Sequence, residues 1–100
     1  MPKVTVVVPH NLDPDVIVAK TTQVVDKTIR DFEGHDLAIQ WSGRNADILF
    51  KSLGFTIKGR MAVEEQRVLV EIDLPFAALM FKDKVQKAVT KNLTRAIEQA

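Results

Sequence analysis

Few side chains in this sequence have the types and spacing that chemistry requires, and the first group surrounds a histidine. His10 stands in the stretch VVVPHNLDPD, residues 6–15, with Asp13 and Asp15 close behind it. A histidine beside carboxylates can act as a general base or as a metal ligand. The three residues match no spacing that identifies a metal, and no nucleophile or third orienting group stands nearby. We therefore interpret His10 as part of a strand-to-helix junction and assign no catalytic residue, metal ligand or cofactor.

Three aromatic side chains fall on neighbouring segments in the middle of the chain. Trp41, Phe50 and Phe55 could line an apolar pocket, because small-molecule sites are mostly apolar with few polar groups. Aromatic residues that face inward from adjacent strands are more often core residues and cross-strand pairs. No convergent polar groups accompany them in the sequence, so both interpretations, pocket and core, stand for these three residues.

Basic residues form a line along the last segment. Lys84, Lys87, Lys91 and Arg95 recur at three- and four-residue spacing, and residues 82–100 carry five basic and two acidic side chains. On one face of a helix, these cations could bind nucleic-acid phosphates, anionic lipid or an acidic partner. A solvated face that favours the helix dipole is the simpler alternative. The net charge of +1 and the lack of an exposed-aromatic pattern make nucleic acid the minority interpretation.

Length and composition restrict the class of protein. One hundred residues, 46% hydrophobic and 27% charged, fit one globular domain with its own core. The absence of cysteine excludes disulfides and a thiolate metal site and fits a reducing compartment. The N-terminal apolar run is too short for a secretory signal, and no stretch approaches the length of a transmembrane helix. We predict a single cytoplasmic domain over residues 1–100 without a transmembrane segment.

The periodicity of the first third predicts a strand followed by a helix. KVTVVVP, residues 3–9, alternates apolar positions and is rich in β-branched residues, as a strand is. Asp13 before Pro14 indicates a helix start, because the aspartate can cap free backbone N–H groups and proline fits the first helical position. Apolar residues at three- and four-residue spacing continue this helix to Phe32, and Gly34 is a natural stop.

The remainder predicts four strands and a final helix. The segments are DLAIQW at 36–41, ADILFKSL at 46–53, the alternating stretch at 55–64, VLVEIDL at 68–74, and a helical pattern at 76–97. Whether residues 76–81 belong to the last helix or form a separate turn stays open. The order β-α-β-β-β-β-α predicts an α+β fold, with a mostly antiparallel sheet and two helices packed on one face.

These stretches, taken in order, also resemble a known family. The matching segments are PHNL at 9–12, Trp41, ILF at 48–50, GFTIKG at 54–59, VLVEIDLP at 68–75 and FKDKVQKAV at 81–89. The sequence resembles the putative polyhydroxyalkanoic acid system proteins of bacteria over nearly its whole length. In the first helix, VIVAKTTQVV departs from the acidic, arginine-containing start common in that family. The resemblance implies an association with storage-polyester metabolism at the granule, and it implies no reaction and no active-site residue.

We therefore expect a non-catalytic accessory protein of the polyhydroxyalkanoate system that binds the granule or a granule protein. The last segment offers a physical route, in which apolar residues lie on the polymer while the lysines stay in water. Those residues are Phe76, Leu79, Met80 and Phe81. One alternative is a nucleic-acid- or ribosome-binding domain that uses the lysine face. Another is an enzyme or a small-ligand (acyl) binding domain with its pocket under the helices near Trp41 and His10. The open edges of such a sheet also favour a homodimer.

Overall fold

The computed structural model of the chain describes residues 3–99, and its elements follow the predicted order. The strands are β1 (Lys3–Pro9), β2 (His35–Ser42), β3 (Asn45–Ser52), β4 (Phe55–Val63) and β5 (Arg67–Asp73). The helices are α1 (Pro14–Asp31) and α2 (Lys82–Glu98), and a 3₁₀ helix (Phe76–Phe81) precedes α2. The predicted α+β fold with the order β-α-β-β-β-β-α is thus confirmed.

The five strands form one sheet in the order β1-β5-β4-β3-β2, and every neighbouring pair is antiparallel. The strands from β2 to β5 follow one another as hairpins, while α1 carries the chain from β1 at one edge to β2 at the other. Both helices cover the same face, so one face of the sheet is apolar and the other is wet. The two edge strands, β1 and β2, each have one unpaired side within this sheet, and a homodimer remains a prediction.

The cross-strand register explains how the core forms. Val6 pairs with Val70, Val70 with Met61, and Met61 with Ala46, so one row of buried side chains crosses four strands. The row ends at Trp41 on the edge strand β2, where the indole is half-buried because no further strand covers it. The alternation in the sequence therefore marked the inner face correctly.

Helix α1 begins where the sequence predicts. The Asp13 carboxylate accepts a hydrogen bond from the Asp15 N–H at 2.9 Å, and Pro14 occupies the first helical position. Arg44 reaches Asp15 at 3.1 Å and Glu65 at 3.0 Å. The helix start is therefore tied to two loops at the same end of the sheet.

The end of α1 is a Schellman motif. The N–H of Glu33 donates to the Arg30 carbonyl at 3.0 Å, and the N–H of Gly34 donates to the Ile29 carbonyl at 2.8 Å. Glu33, with a φ of 56°, takes the left-handed position that glycine usually holds. Gly34 serves a different purpose, because a Cβ there would lie 2.3 Å from Ile29 Cγ2 and 2.9 Å from the Ile29 carbonyl oxygen.

We expect Gly34→Ala to lower the free energy of unfolding by about 1–3 kcal/mol, because the added methyl group overpacks against Ile29. The matched control is Glu33→Gly, which relieves the left-handed conformation and should stabilise the protein by up to about 1 kcal/mol. Urea unfolding of both variants measures the two effects. Equal stability of Gly34→Ala and the wild type would show that the helix end can relax without cost.

The last segment is divided between two helices, which settles whether residues 76–81 belong to the final α-helix. Pro75 accepts a hydrogen bond from the Ala78 N–H at 2.9 Å, and the 3₁₀ helix then runs directly into α2 without a side-chain cap. Asn92 of α2 is buried against α1, where its amide donates to Thr28 Oγ1 at 2.7 Å. This polar contact aligns the two helices over the sheet.

Candidate apolar binding site beneath the helices

An apolar cavity of about 90 Å³ lies between the inner face of the sheet and the helices. Strands β3, β4 and β5 form its floor, and α1, α2 and the 3₁₀ helix form its walls and roof. The side chains that bound it include Val24, Phe50, Ile57, Met61, Val70 and Phe81. Gly59 contributes to the volume, because no side chain rises from the middle of the floor at that position.

The few polar groups of the cavity wall already have hydrogen-bond partners. The Thr28 hydroxyl donates to the Val24 carbonyl at 2.8 Å and accepts from Asn92. The Ser52 hydroxyl donates to the Phe32 carbonyl at 2.6 Å. No buried side-chain nitrogen or oxygen among residues 3–99 lacks a partner. The cavity therefore offers a hydrophobic space and no group placed for acid–base chemistry.

Exposed hydrophobic residues surround one side of this cavity. The β3–β4 turn and the 3₁₀ helix border it together, since Leu53, Ala78 and Phe81 all line it. The large apolar side chains that these two segments leave in water are Leu53, Phe76, Leu79 and Met80. We call these four residues the apolar patch. Phe76 is 73% exposed and Met80 is 80% exposed, and a group of exposed apolar side chains is more informative than single exposed ones.

Two of the three aromatic residues selected from the sequence line the cavity, and the third does not. Phe50 and Phe55 line the cavity, and both are half-buried. Trp41 lies on the edge strand, packs against the core and does not line the cavity. The cavity thus lies toward the β3–β4 turn, whereas the pocket expected in the acyl-binding alternative was near Trp41 and His10. Ligand binding by these three residues stays a prediction.

His10 is held at the junction between β1 and α1 by three hydrogen bonds. Its Nε2 lies 2.8 Å from the Glu64 carbonyl oxygen, to which it donates, and its Nδ1 accepts from the Leu12 N–H at 3.1 Å. Its backbone N–H donates to the Gln66 carbonyl at 2.9 Å. Nε2 and the backbone N–H therefore connect this junction to the β4–β5 loop, whereas Nδ1 fixes the turn of the junction itself.

The carboxylates near His10 in sequence have other partners. Asp13 caps α1, and Asp15 pairs with Arg44. Within residues 3–99, no group of three histidine or carboxylate side chains has the arrangement of a metal site. The structure therefore does not bring His10, Asp13 and Asp15 together as a site.

The predicted basic face lies on the solvent side of α2. Lys84, Lys87, Lys91 and Arg95 are all exposed, and none of them forms an ion pair with a carboxylate among the described residues. We call these four residues the basic face. Their charges are thus available to a partner, and binding by this face remains a prediction.

The sequence of this chain matches one known protein family. The family of putative polyhydroxyalkanoic acid system proteins matches residues 4–97, which is nearly the whole chain. The chain belongs to this family. The resemblance predicted from the sequence is therefore confirmed, and with it an association with the polyhydroxyalkanoate system.

The segments that make this polyhydroxyalkanoic acid system protein recognisable carry its fold. PHNL contains the His10 junction, and GFTIKG contains Gly59, where a Cβ would approach the Glu71 carbonyl oxygen to 3.2 Å. FKDKVQKAV spans the step from the 3₁₀ helix into α2. These segments thus support the fold of this chain.

Other comparisons add little to the family assignment. The crystal structure of TTHA0849 from Thermus thermophilus aligns with 98% of this chain and 95% of its own, at 13% identity and a TM-score of 0.38. No curated protein matches the sequence significantly. Within residues 3–99 of this polyhydroxyalkanoic acid system protein, no helix has the length and apolarity needed to cross a membrane.

One ionisable group beside the basic face has a perturbed pKa. The Lys27 ammonium lies 3.1 Å from Asp31 Oδ2 and is the main cause that lowers the pKa of Asp31 below its ordinary 3.8. Burial opposes this effect, whereas the Asn92 amide and the charge of Lys91 reinforce it. The ionised Asp31 carboxylate therefore stabilises the folded protein above pH 3.8. This contribution is lost as the pH falls through the lowered pKa of Asp31.

We therefore expect Asp31→Asn to flatten the acid limb of the stability curve. At neutral pH the free energy of unfolding of the wild type should exceed that of the variant by less than about 1 kcal/mol, because the Lys27–Asp31 ion pair is exposed to solvent. The difference should vanish in acid, as urea unfolding along a pH series would reveal. A constant difference over the whole series would assign the effect to the lost contact with Asn92 instead.

Proposed function

We propose that this family member is a non-catalytic accessory protein that binds the polyester storage granule through its apolar patch. The observation that carries the proposal is the concentration of exposed Phe76, Leu79 and Met80 on one short 3₁₀ helix beside Leu53. A polyester granule presents a hydrophobic surface, and burial of such side chains against it removes apolar area from water. The family's association with polyhydroxyalkanoates supports this choice of partner.

The neighbouring α2 helix favours an orientation parallel to the polymer surface. It follows the patch without a break, and its lysines extend from the solvent side of the helix. Lysine side chains can lay their apolar stems along such a surface while the ammonium groups stay in water. The patch would therefore face the polymer, and the basic face would lie at its margin.

A binding role without catalysis agrees with the chemistry of the described residues. The cavity wall has its polar groups already paired, and both nitrogens of His10 are used in the fold. Binding to a storage granule places the protein in the cytoplasm, to which the absence of cysteine is well suited.

Co-sedimentation with polyester tests this proposal. Purified protein should pellet with beads of bare poly(3-hydroxyalkanoate) and with granules stripped of their own proteins, and it should remain soluble with beads of a hydrophilic polymer. Binding to native granules but not to bare polyester would identify a granule protein as the partner. Failure to bind either native granules or bare polyester would refute the granule proposal.

A second candidate function is nucleic-acid binding by the basic face, whose four cations have no ion-pair partners among residues 3–99. If this face binds nucleic acid, the double reversal Lys87→Glu with Lys91→Glu should abolish a salt-sensitive gel shift of RNA or DNA. We expect instead that the wild type produces no such shift and that the double variant still binds polyester beads. A gel shift lost on charge reversal would favour the second candidate over the first.

A further inference from the structure

We infer that the cavity beneath the helices binds one hydrocarbon chain, such as the alkyl part of a fatty acyl group or a side chain of a polyester. This inference goes beyond granule binding, because the cavity and the exposed part of the patch consist largely of different residues. It depends on the volume, the polarity and the position of the cavity.

The volume suits a short chain. A cavity of about 90 Å³ is several times larger than one water molecule requires, and smaller than the engineered cavity of about 150 Å³ that binds benzene. Native cores are packed with few voids larger than a water molecule. An unfilled space of this size beside the roof of the fold is therefore a site that a narrow apolar group can occupy.

The polarity selects a hydrocarbon over the polyester backbone. A polyester backbone carries an ester carbonyl in every repeat, and each carbonyl would lose its hydration inside the cavity. The hydroxyls of Thr28 and Ser52 are already bonded to backbone carbonyls, so no donor is free to compensate. A plain alkyl chain needs no such partner. The ester or carboxylate end of the ligand must therefore stay outside.

The position gives the chain a way in. Leu53 and the half-buried Phe55 and Phe81 line the cavity and also reach solvent. The roof at Ala78 belongs to a 3₁₀ helix, whose hydrogen bonds are weaker than those of an α-helix. A chain entering between the β3–β4 turn and this helix would reach Ile57 and Val70 on the floor.

Calorimetric titration with straight-chain carboxylates, from butanoate to dodecanoate, tests the inference. The dissociation constant should fall about fourfold for each added methylene until the cavity is full, and then level off. Methyl NMR shifts should appear at Ile57, Met61 and Val70 and be absent at Val4. No binding of any acid, or shifts at exposed methyl groups alone, would overturn insertion of an acyl chain.

A cavity-filling variant makes the test specific. Ala78→Leu places three more carbon atoms in the cavity, so alkyl binding should fall at least tenfold while the midpoint of thermal unfolding is kept or raised. Val24→Leu fills the cavity from the opposite wall, and it replaces Ala78→Leu in the test if that variant misfolds. Ala62→Leu makes the same change as Ala78→Leu on the wet face of the sheet and should leave alkyl binding intact. Undiminished binding by folded Ala78→Leu and Val24→Leu would contradict the inference.

Polyester beads distinguish the source of the chain and separate this inference from the granule proposal. If the chain comes from the polymer, Ala78→Leu should weaken binding to polyesters with long alkyl side chains and leave binding to those with methyl side chains unchanged. If it comes from a free acyl group, both bead types should bind this variant like the wild type. A Phe76→Ser, Met80→Ser double variant should lose binding to the polyester beads and should still bind the straight-chain carboxylates. Loss of carboxylate binding by the Phe76→Ser, Met80→Ser variant, or loss of binding to methyl-side-chain polyester by Ala78→Leu, would contradict two separate sites.

Discussion

Replacement of His10 by alanine should lower the free energy of unfolding by about 2–4 kcal/mol. The histidine is only 5% exposed, and its imidazole bonds to the Glu64 carbonyl and the Leu12 N–H. Alanine would leave both backbone groups without their partner and would create a void at the junction. The effect should therefore be one of the largest that any single substitution produces in this protein.

Urea unfolding of His10→Ala, His10→Asn and His10→Gln separates the contributions. Asparagine can keep an acceptor near the position of Nδ1, and glutamine can keep a donor near the position of Nε2, so each should recover part of the loss. Folded His10→Ala should bind polyester beads like the wild type at a temperature well below its midpoint. A folded variant that loses bead binding would instead place His10 in the functional site.

The double variant Phe76→Ser, Met80→Ser should bind bare polyester about 30- to 150-fold more weakly than the wild type. Each side chain is largely exposed in the free protein, and partial burial against the polymer contributes about 1–1.5 kcal/mol per residue. Because the protein core loses nothing, the free energy of unfolding should be unchanged or nearly so. A binding isotherm on beads of known surface area measures the effect.

The control for this variant removes two exposed apolar side chains elsewhere, Val7 at 49% and Leu49 at 40% exposure. Val7 and Leu49 are exposed on the opposite face of the sheet, away from the helices. Val7→Ser with Leu49→Ser should bind polyester as the wild type does. Equal losses in both double variants would mean that adsorption is nonspecific, and the patch would then have no particular role.

Most of the fold could be predicted from periodicity and local capping. The alternation from Phe55 to Val63 marked both faces of β4 correctly, and Asp13 with Pro14 marked the start of α1. These signals are local, since they depend on neighbours within one strand or one helical turn. The segments that resemble the family also depend on such local signals, and this explains why the resemblance extends over nearly the whole chain.

The candidate site was harder to predict, because it depends on contacts between distant segments. Asn92 was overlooked as a polar residue on the last helix, although its position seven residues after Val85 places it on the buried stripe. The cavity itself has no sequence signal, since it arises from the way Phe50, Phe81 and their neighbours fail to fill one space. The sequence predicts Phe76, Leu79, Met80 and Phe81 together at the polymer surface. The short 3₁₀ helix divides this set, because it leaves the first three exposed, whereas Phe81 is half-buried and lines the cavity.

The most direct test of granule binding is the isotherm of the wild-type protein on bare polyester beads, at low salt and at about 1 M salt, where charges are screened beyond about 3 Å. If the apolar patch drives adsorption, binding should saturate and persist at high salt, because burial of hydrocarbon does not depend on screening. Binding that disappears at high salt would instead assign the contact to the basic face of α2. No binding at either salt concentration would contradict a direct interaction with the polymer.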